Sequence, residues 1–122
     1  LSIQIPEKKI QSDFFEWLCF YPCLRLVTFA IPNGGSRNRL EAKSLKAQGV
    51  TPGVPDIFMA LPYNGFHGLF IELKSKTGRL SEHQKIWLNN LNDRAYRAVV
   101  CYSLDEAMDA VTEYLGGNLN NV

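Results

Sequence analysis

Cysteine is scarce: Cys19, Cys23 and Cys101 are an odd number with no pair of CxxC knuckles among them. No disulfide framework or zinc-knuckle site is indicated, and buried thiols are the ordinary expectation. No apolar run approaches the roughly 20 residues of a bilayer span, and no basic, apolar, small-residue succession of a secretory leader stands near residue 1. A soluble, cytoplasmic protein with no membrane partner is expected. Net charge is only +1, so composition alone names no nucleic-acid partner. Histidine is limited to His67 and His83, and a lone histidine is more often a satisfied structural group than a base. The 122 residues, 46% of them hydrophobic, suffice for one core and are too few for two.

What charge there is lies unevenly. Arg37, Arg39, Lys43 and Lys46 stand between Gly35 and Gly49 with Glu41 as the only acid, whereas Asp105, Glu106, Asp109 and Glu113 cluster near the C-terminal end. A phosphate backbone is drawn to the first group and repelled by the second, although a solvated basic helix is also common. Asn33-Gly34-Gly35 precedes the bases, and its glycines allow an adjustable backbone near a phosphate. Asn33, Arg37, Arg39, Lys43 and Lys46 are therefore the candidate DNA clamp.

Periodicity predicts a helix from about Glu7 to Phe20, with Ile10, Phe14, Trp17 and Tyr21 on one stripe and Pro22 as its stop. Strands are predicted at Arg25 to Ile31, Asp56 to Leu61, Gly68 to Lys74 and Arg97 to Tyr102. A basic helix covers about Asn38 to Gln48. Ser81 with Gln84, and Ser103 with Glu106, have the spacing of capping boxes and open helices to about Asp93 and Leu115. Ile86, Trp87, Leu88 and Leu91 read as core on the first of these. A single domain over residues 1–115, with 116–122 as a flexible tail, suits a mixed sheet flanked by helices.

Chemistry is most visible at Gly68 to Lys74, where alternation puts Leu69, Ile71 and Leu73 on one face and Phe70, Glu72 and Lys74 on the other. An isolated E-x-K pair is more often a solvated edge. Asp56 changes that weighting. It follows Gly53-Val54-Pro55 at the mouth of an apolar strand, and a hairpin through Pro62 to Phe66 would stand it beside Glu72. Two adjacent carboxylates repel unless a cation or a proton lies between them. Hard oxygen ligands suit Mg²⁺ or Mn²⁺, so Asp56 and Glu72 are expected to hold the ion, joined by the backbone carbonyl of Leu73. Lys74 would orient or deprotonate water, or stabilise charge on a phosphate, and both roles stay open.

Gly53-Val54-Pro55-Asp56, then Glu72-Leu73-Lys74, then Gly78 and Ser81-Glu82-His83-Gln84, resembles the virus-type replication-repair nuclease (VRR-NUC) family, a branch of the PD-(D/E)XK superfamily. Asn33-Gly34-Gly35, Lys46 to Gly49, His67-Gly68 and Trp87 are similar to family features too. The resemblance implies an α/β, restriction-endonuclease-like core with a central mixed sheet, divalent-metal hydrolysis of phosphodiesters, branched DNA such as junctions or flaps as substrate, and a homodimer. It also implies an acid on the first helix. Of Glu7, Asp13 and Glu16, Glu7 is preferred, because at about 100° per residue it lies about 60° from Ile10, within the inward stripe. A helix N-terminal acid favoured by the macrodipole is the competing account of Glu7. The resemblance likewise implies that Gln84 helps complete the site, against a plain capping role. A DNA-binding or assembly module that does no chemistry is the alternative from another class, and retention of Asp56, Glu72 and Lys74 together argues against it. A sequence-specific restriction-type enzyme shares the chemistry, but 122 residues leave little room for recognition elements.

Overall fold

The computed structural model describes residues 4–32 and 39–122. Helix α1 (Glu7–Leu18) is followed by a short helix α2 (Pro22–Arg25) and strand β1 (Thr28–Ala30). Then come α3 (Arg39–Ala47), β2 (Ile57–Met59), β3 (Leu69–Leu73), α4 (Glu82–Asn92), β4 (Arg97–Cys101) and α5 (Leu104–Tyr114). The strands form one sheet in the order β1-β2-β3-β4. β1 to β2 and β2 to β3 are antiparallel, and β3 to β4 is parallel across the α4 connection. No helix among the described residues is long and apolar enough to cross a membrane.

Pro22 differs from expectation. It does not stop α1, which already ends at Leu18, but opens α2 at its first position, where a missing N–H is no loss because that group has no intrahelical partner. The strand expected from Arg25 shortens accordingly to Thr28–Ala30, with the Thr28 hydroxyl donating to the Leu24 carbonyl at 2.7 Å.

Alternation along β3 sorts the two faces. Leu69, Ile71 and Leu73 join Ile57 and Met59 in the main core, where Ile10, Phe14 and Leu18 of α1 and Ala107 and Val111 of α5 cover them. Phe70 faces the other way, into a smaller cluster with Leu88 and Leu91 of α4 and Ala98 of β4. Ile86 was expected in that cluster, yet it is 54% exposed on the solvent side of α4. In the last seven residues, expected to be a tail, Leu119 packs into the main core and Asn118 donates to the Tyr63 hydroxyl at 3.2 Å.

Local chemistry sets the joints that matter for the site. Tyr63 and Phe66 exchange both backbone hydrogen bonds around Asn64 and Gly65, both at positive φ, which is the tight turn that matches strand twist in a hairpin. The Ser81–Gln84 capping box is complete at α4. At α5 only half forms, because Glu106 Oε1 accepts from Tyr102 N–H at 3.1 Å while Ser103 Oγ caps Glu106 N–H. The outer edge of β4 is partly closed by Asn92, whose side-chain amide both donates to and accepts from Ala98 at 3.0 Å. Gly53 holds φ +90, and a Cβ there would lie 2.5 Å from the His83 carbonyl carbon. The loop before β2 thus rests directly on the start of α4. Gly49 has a similar φ of +96 with open space around it. Both Gly→Ala changes should therefore cost more than about 1 kcal/mol from φ alone. Gly53→Ala should lose distinctly more in a urea melt than Gly49→Ala, and equal losses would disprove the contact.

Candidate active site

The hairpin register pairs Ile57 with Ile71. One step further out, the same register sets Asp56 opposite Glu72, on the same sheet face as Phe58 and Phe70. Asp56 is held from both sides: its Oδ2 accepts from Leu73 N–H at 2.7 Å, and its backbone carbonyl accepts from Ile31 N–H, also at 2.7 Å. The N–H and C=O of one extended residue point to the same strand edge, so the Leu73 carbonyl also faces the Asp56 side. Glu7, in the first turn of α1, reaches the same place. One carboxylate oxygen from each of Glu7, Asp56 and Glu72 lies within 4.8 Å of the others. Of the three, Glu72 is buried (2% exposed), Asp56 half-buried and Glu7 exposed.

That arrangement is electrostatically costly at Glu72. Burial is the main reason its carboxyl is pushed up to about 9; Asp56 adds to the rise through its charge and a hydrogen bond, and Glu7 adds a little more. Lys74 pulls the other way without reversing the shift. Without a cation, then, Glu72 retains a proton at neutral pH, and full ionisation of the cluster needs positive charge among the three acids. Three hard carboxylate donors around a buried, destabilised charge fit a divalent cation, and Glu7, Asp56 and Glu72 could hold one.

Gln84 caps its helix and also contacts Glu72. Its Oε1 accepts from Ser81 N–H at 2.9 Å, completing the cap, while its Nε2 donates to Glu72 Oε2 at 3.3 Å. Lys74 follows Glu72 by two residues at the end of β3, and its N–H donates to the Cys101 carbonyl at 3.0 Å, which ties this point of the chain to β4. Asp13 is taken up by Lys9 at 2.9 Å, and Glu16 stands exposed outside the cluster. His83 meets the Gly53 position with its backbone carbonyl and its Cβ, and His67 stacks edge-on to Tyr96 at 5.3 Å. Arg39, Lys43 and Lys46 fall on one side of α3, a helix with no buried residue. Asn33 and Arg37 lie outside the described residues. Gly53 was read only as part of a motif; its contact with α4 had no local signal.

The shift at Glu72 sets a pH dependence. Its folded value, about 9, lies above the ordinary 4.5, so this group's stabilising contribution is complete below pH 4.5 and is lost as pH rises towards 9. In chelator, the melting temperature of Glu72→Gln should therefore rise relative to the parent protein across that window. A difference that does not vary with pH would contradict the assignment.

Residues 6–105 match the VRR-NUC domain family, a span that contains Glu7, Asp56, Glu72, Lys74 and Gln84. A solved structure described as a "VRR_NUC domain protein" is similar at a TM-score of 0.79 and 23% identity, over 95% of this chain and 92% of its own. That likeness shows the fold: a mixed four-stranded sheet flanked by helices, of the α/β, restriction-endonuclease-like kind. No curated protein matches the sequence. With the family match covering most of its length, this chain belongs to the VRR-NUC family and carries a nuclease-type domain.

Proposed function

We propose that the protein is a divalent-metal-dependent DNA endonuclease that hydrolyses phosphodiester bonds in branched DNA. The observation that carries this is the burial of Glu72 against Asp56, with Glu7 completing the carboxylate group, inside a nuclease-type domain. Asp56, Glu72, Glu7 and the Leu73 carbonyl would hold Mg²⁺ or Mn²⁺. Such an ion, when bound, polarises the phosphate and acidifies water.

The chain's own groups prepare the rest. Leu73 N–H fixes one oxygen of Asp56 and Gln84 fixes one oxygen of Glu72, so each acid keeps its other oxygen for the site. Gln84 is thus a positioning residue. Lys74 extends on the Glu72 side of β3 and supplies the ammonium for a phosphate oxygen or the attacking water. Arg39, Lys43 and Lys46 form the DNA-holding side of α3, with Arg37 and Asn33 before it. A homodimer suits a branched substrate, because two-fold pairing sets two centres on two strands, and two-fold dimers are the commonest closed oligomers.

Cleavage of labelled junctions and flaps with Mg²⁺, Mn²⁺ or EDTA tests the proposal. Asp56→Asn, which keeps an acceptor for Leu73 N–H, and Glu72→Gln should abolish cleavage while melting cooperatively. Lys74→Met should lower kcat by about 10²- to 10³-fold, and Gln84→Glu, which keeps the cap, by about 10- to 100-fold. Binding run across salt should show a slope smaller by about 0.9 for each α3 base that is neutralised at a phosphate contact. Full cleavage by a folded Asp56→Asn protein, or cation-independent cleavage, would remove the metal centre. DNA binding with no cleavage under any cation would favour the silent module.

A further inference from the structure

Residues of α1, α2 and β1 line an open cleft of about 530 Å³, within the roughly 300–1,000 Å³ of small-ligand sites. Its wall differs in kind from the acidic centre. Among the described residues, Lys8 and Arg25 are the charged groups lining it, and no carboxylate does. Phe15 and Phe29 supply aromatic surface, and Gln11 adds a polar group. Phe29 is 50% exposed on a three-residue edge strand, so part of its ring is open to the cleft.

The rings and Arg25 are held in place. The Arg25 guanidinium lies over the Phe15 ring at 5.0 Å and donates through Nη1 to the Thr28 carbonyl at 2.9 Å. An arginine has five N–H donors, so most of its fork remains for a ligand. Phe29 stands edge-on to Phe58, at 5.8 Å and 86°, and Phe58 stacks on Phe70 at 4.2 Å. The exposed ring is thus the outer member of a row that crosses the sheet on the face of Asp56 and Glu72.

The cleft also adjoins the proposed chemistry. Lys8 follows Glu7 on α1. Ala30, in the cleft wall, pairs with Ile57, the residue after Asp56. The cleft wall and the carboxylate group thus draw on neighbouring residues of α1 and of the β1–β2 pair. Paired bases are stacked within the duplex and cannot present their flat faces to side chains, whereas an unpaired base can. We propose that the cleft takes one unpaired nucleotide of the DNA, its base against Phe29 and Phe15 and its phosphate at Lys8 and Arg25. This rests on the nuclease reading and narrows its substrate to DNA with an unpaired nucleotide beside the cleaved bond.

Fluorescence anisotropy with two labelled probes in EDTA tests it: an octathymidylate and an abasic backbone of the same length. The parent protein should bind the thymidine probe about tenfold more tightly, as expected for a stacked base. Phe29→Leu and Phe29→Ala should each remove most of that gap, and Lys8→Ala should weaken both probes together. The Leu variant keeps apolar bulk, so a loss shared by both Phe29 variants is not a folding defect. No preference for the base-bearing probe, or a preference that survives both Phe29 changes, would overturn the cleft. The cleavage assay fails independently: a protein that cuts nothing yet shows the Phe29-dependent preference would keep the cleft and lose the nuclease reading.

Discussion

The β2–β3 hairpin sets Asp56 against Glu72, and Leu73 N–H holds Asp56 there at 2.7 Å. Because Glu72 is also buried, ionising both members of the pair is costly without a counter-charge, and the raised Glu72 carboxyl reflects that burial and the charge of Asp56. Much of the fold serves to keep this unfavourable contact in place. The tight turn at Asn64-Gly65 fixes the register, the main core under Ile57 and Ile71 anchors it, and Gln84 closes over Glu72 from the start of α4. A proton or a cation relieves the repulsion, and only the cation leaves all three acids charged.

Two faces of the sheet divide the labour. Beneath it, α1 and α5 cover a continuous apolar layer, and this accounts for most of the buried side chains. On the other face, packing against α4 is smaller, and the same face carries the acids and the aromatic row from Phe29 to Phe70. α1 links both roles, since Ile10, Phe14 and Leu18 enter the core while Glu7, one turn earlier, reaches the acids. The basic helix α3 has no buried residue, which suits a surface that meets a polyanion.

How much of this was legible depends on whether the signal was local. Alternation in Leu69 to Lys74 announced β3 and its two faces, and the Pro62 to Phe66 turn announced the hairpin that brings Asp56 to Glu72. The Ser81–Gln84 spacing announced the start of α4. Pro22 misled because the same residue can end one helix or open the next. Ile86 misled because its neighbours Trp87 and Leu88 carry the same composition but a different helical angle. Other features are tertiary. The approach of Glu7 to the sheet could be ranked by helical angle but not placed, and the contact of Gly53 with His83 joins segments far apart in the chain. The cleft draws Lys8 and Phe15 from one helix, Arg25 from another and Phe29 from a strand, so no stretch of sequence displays it.

Everything functional turns on whether Glu72 gives up its proton to a cation. Calorimetric titration of Mn²⁺ into the protein near pH 7, repeated in buffers of different ionisation enthalpy, counts the protons that leave on binding. With the Glu72 carboxyl near 9 in the free protein, about one proton should leave for each ion bound, and Glu72→Gln should release none. Tight binding with no proton release by the parent protein would contradict the account.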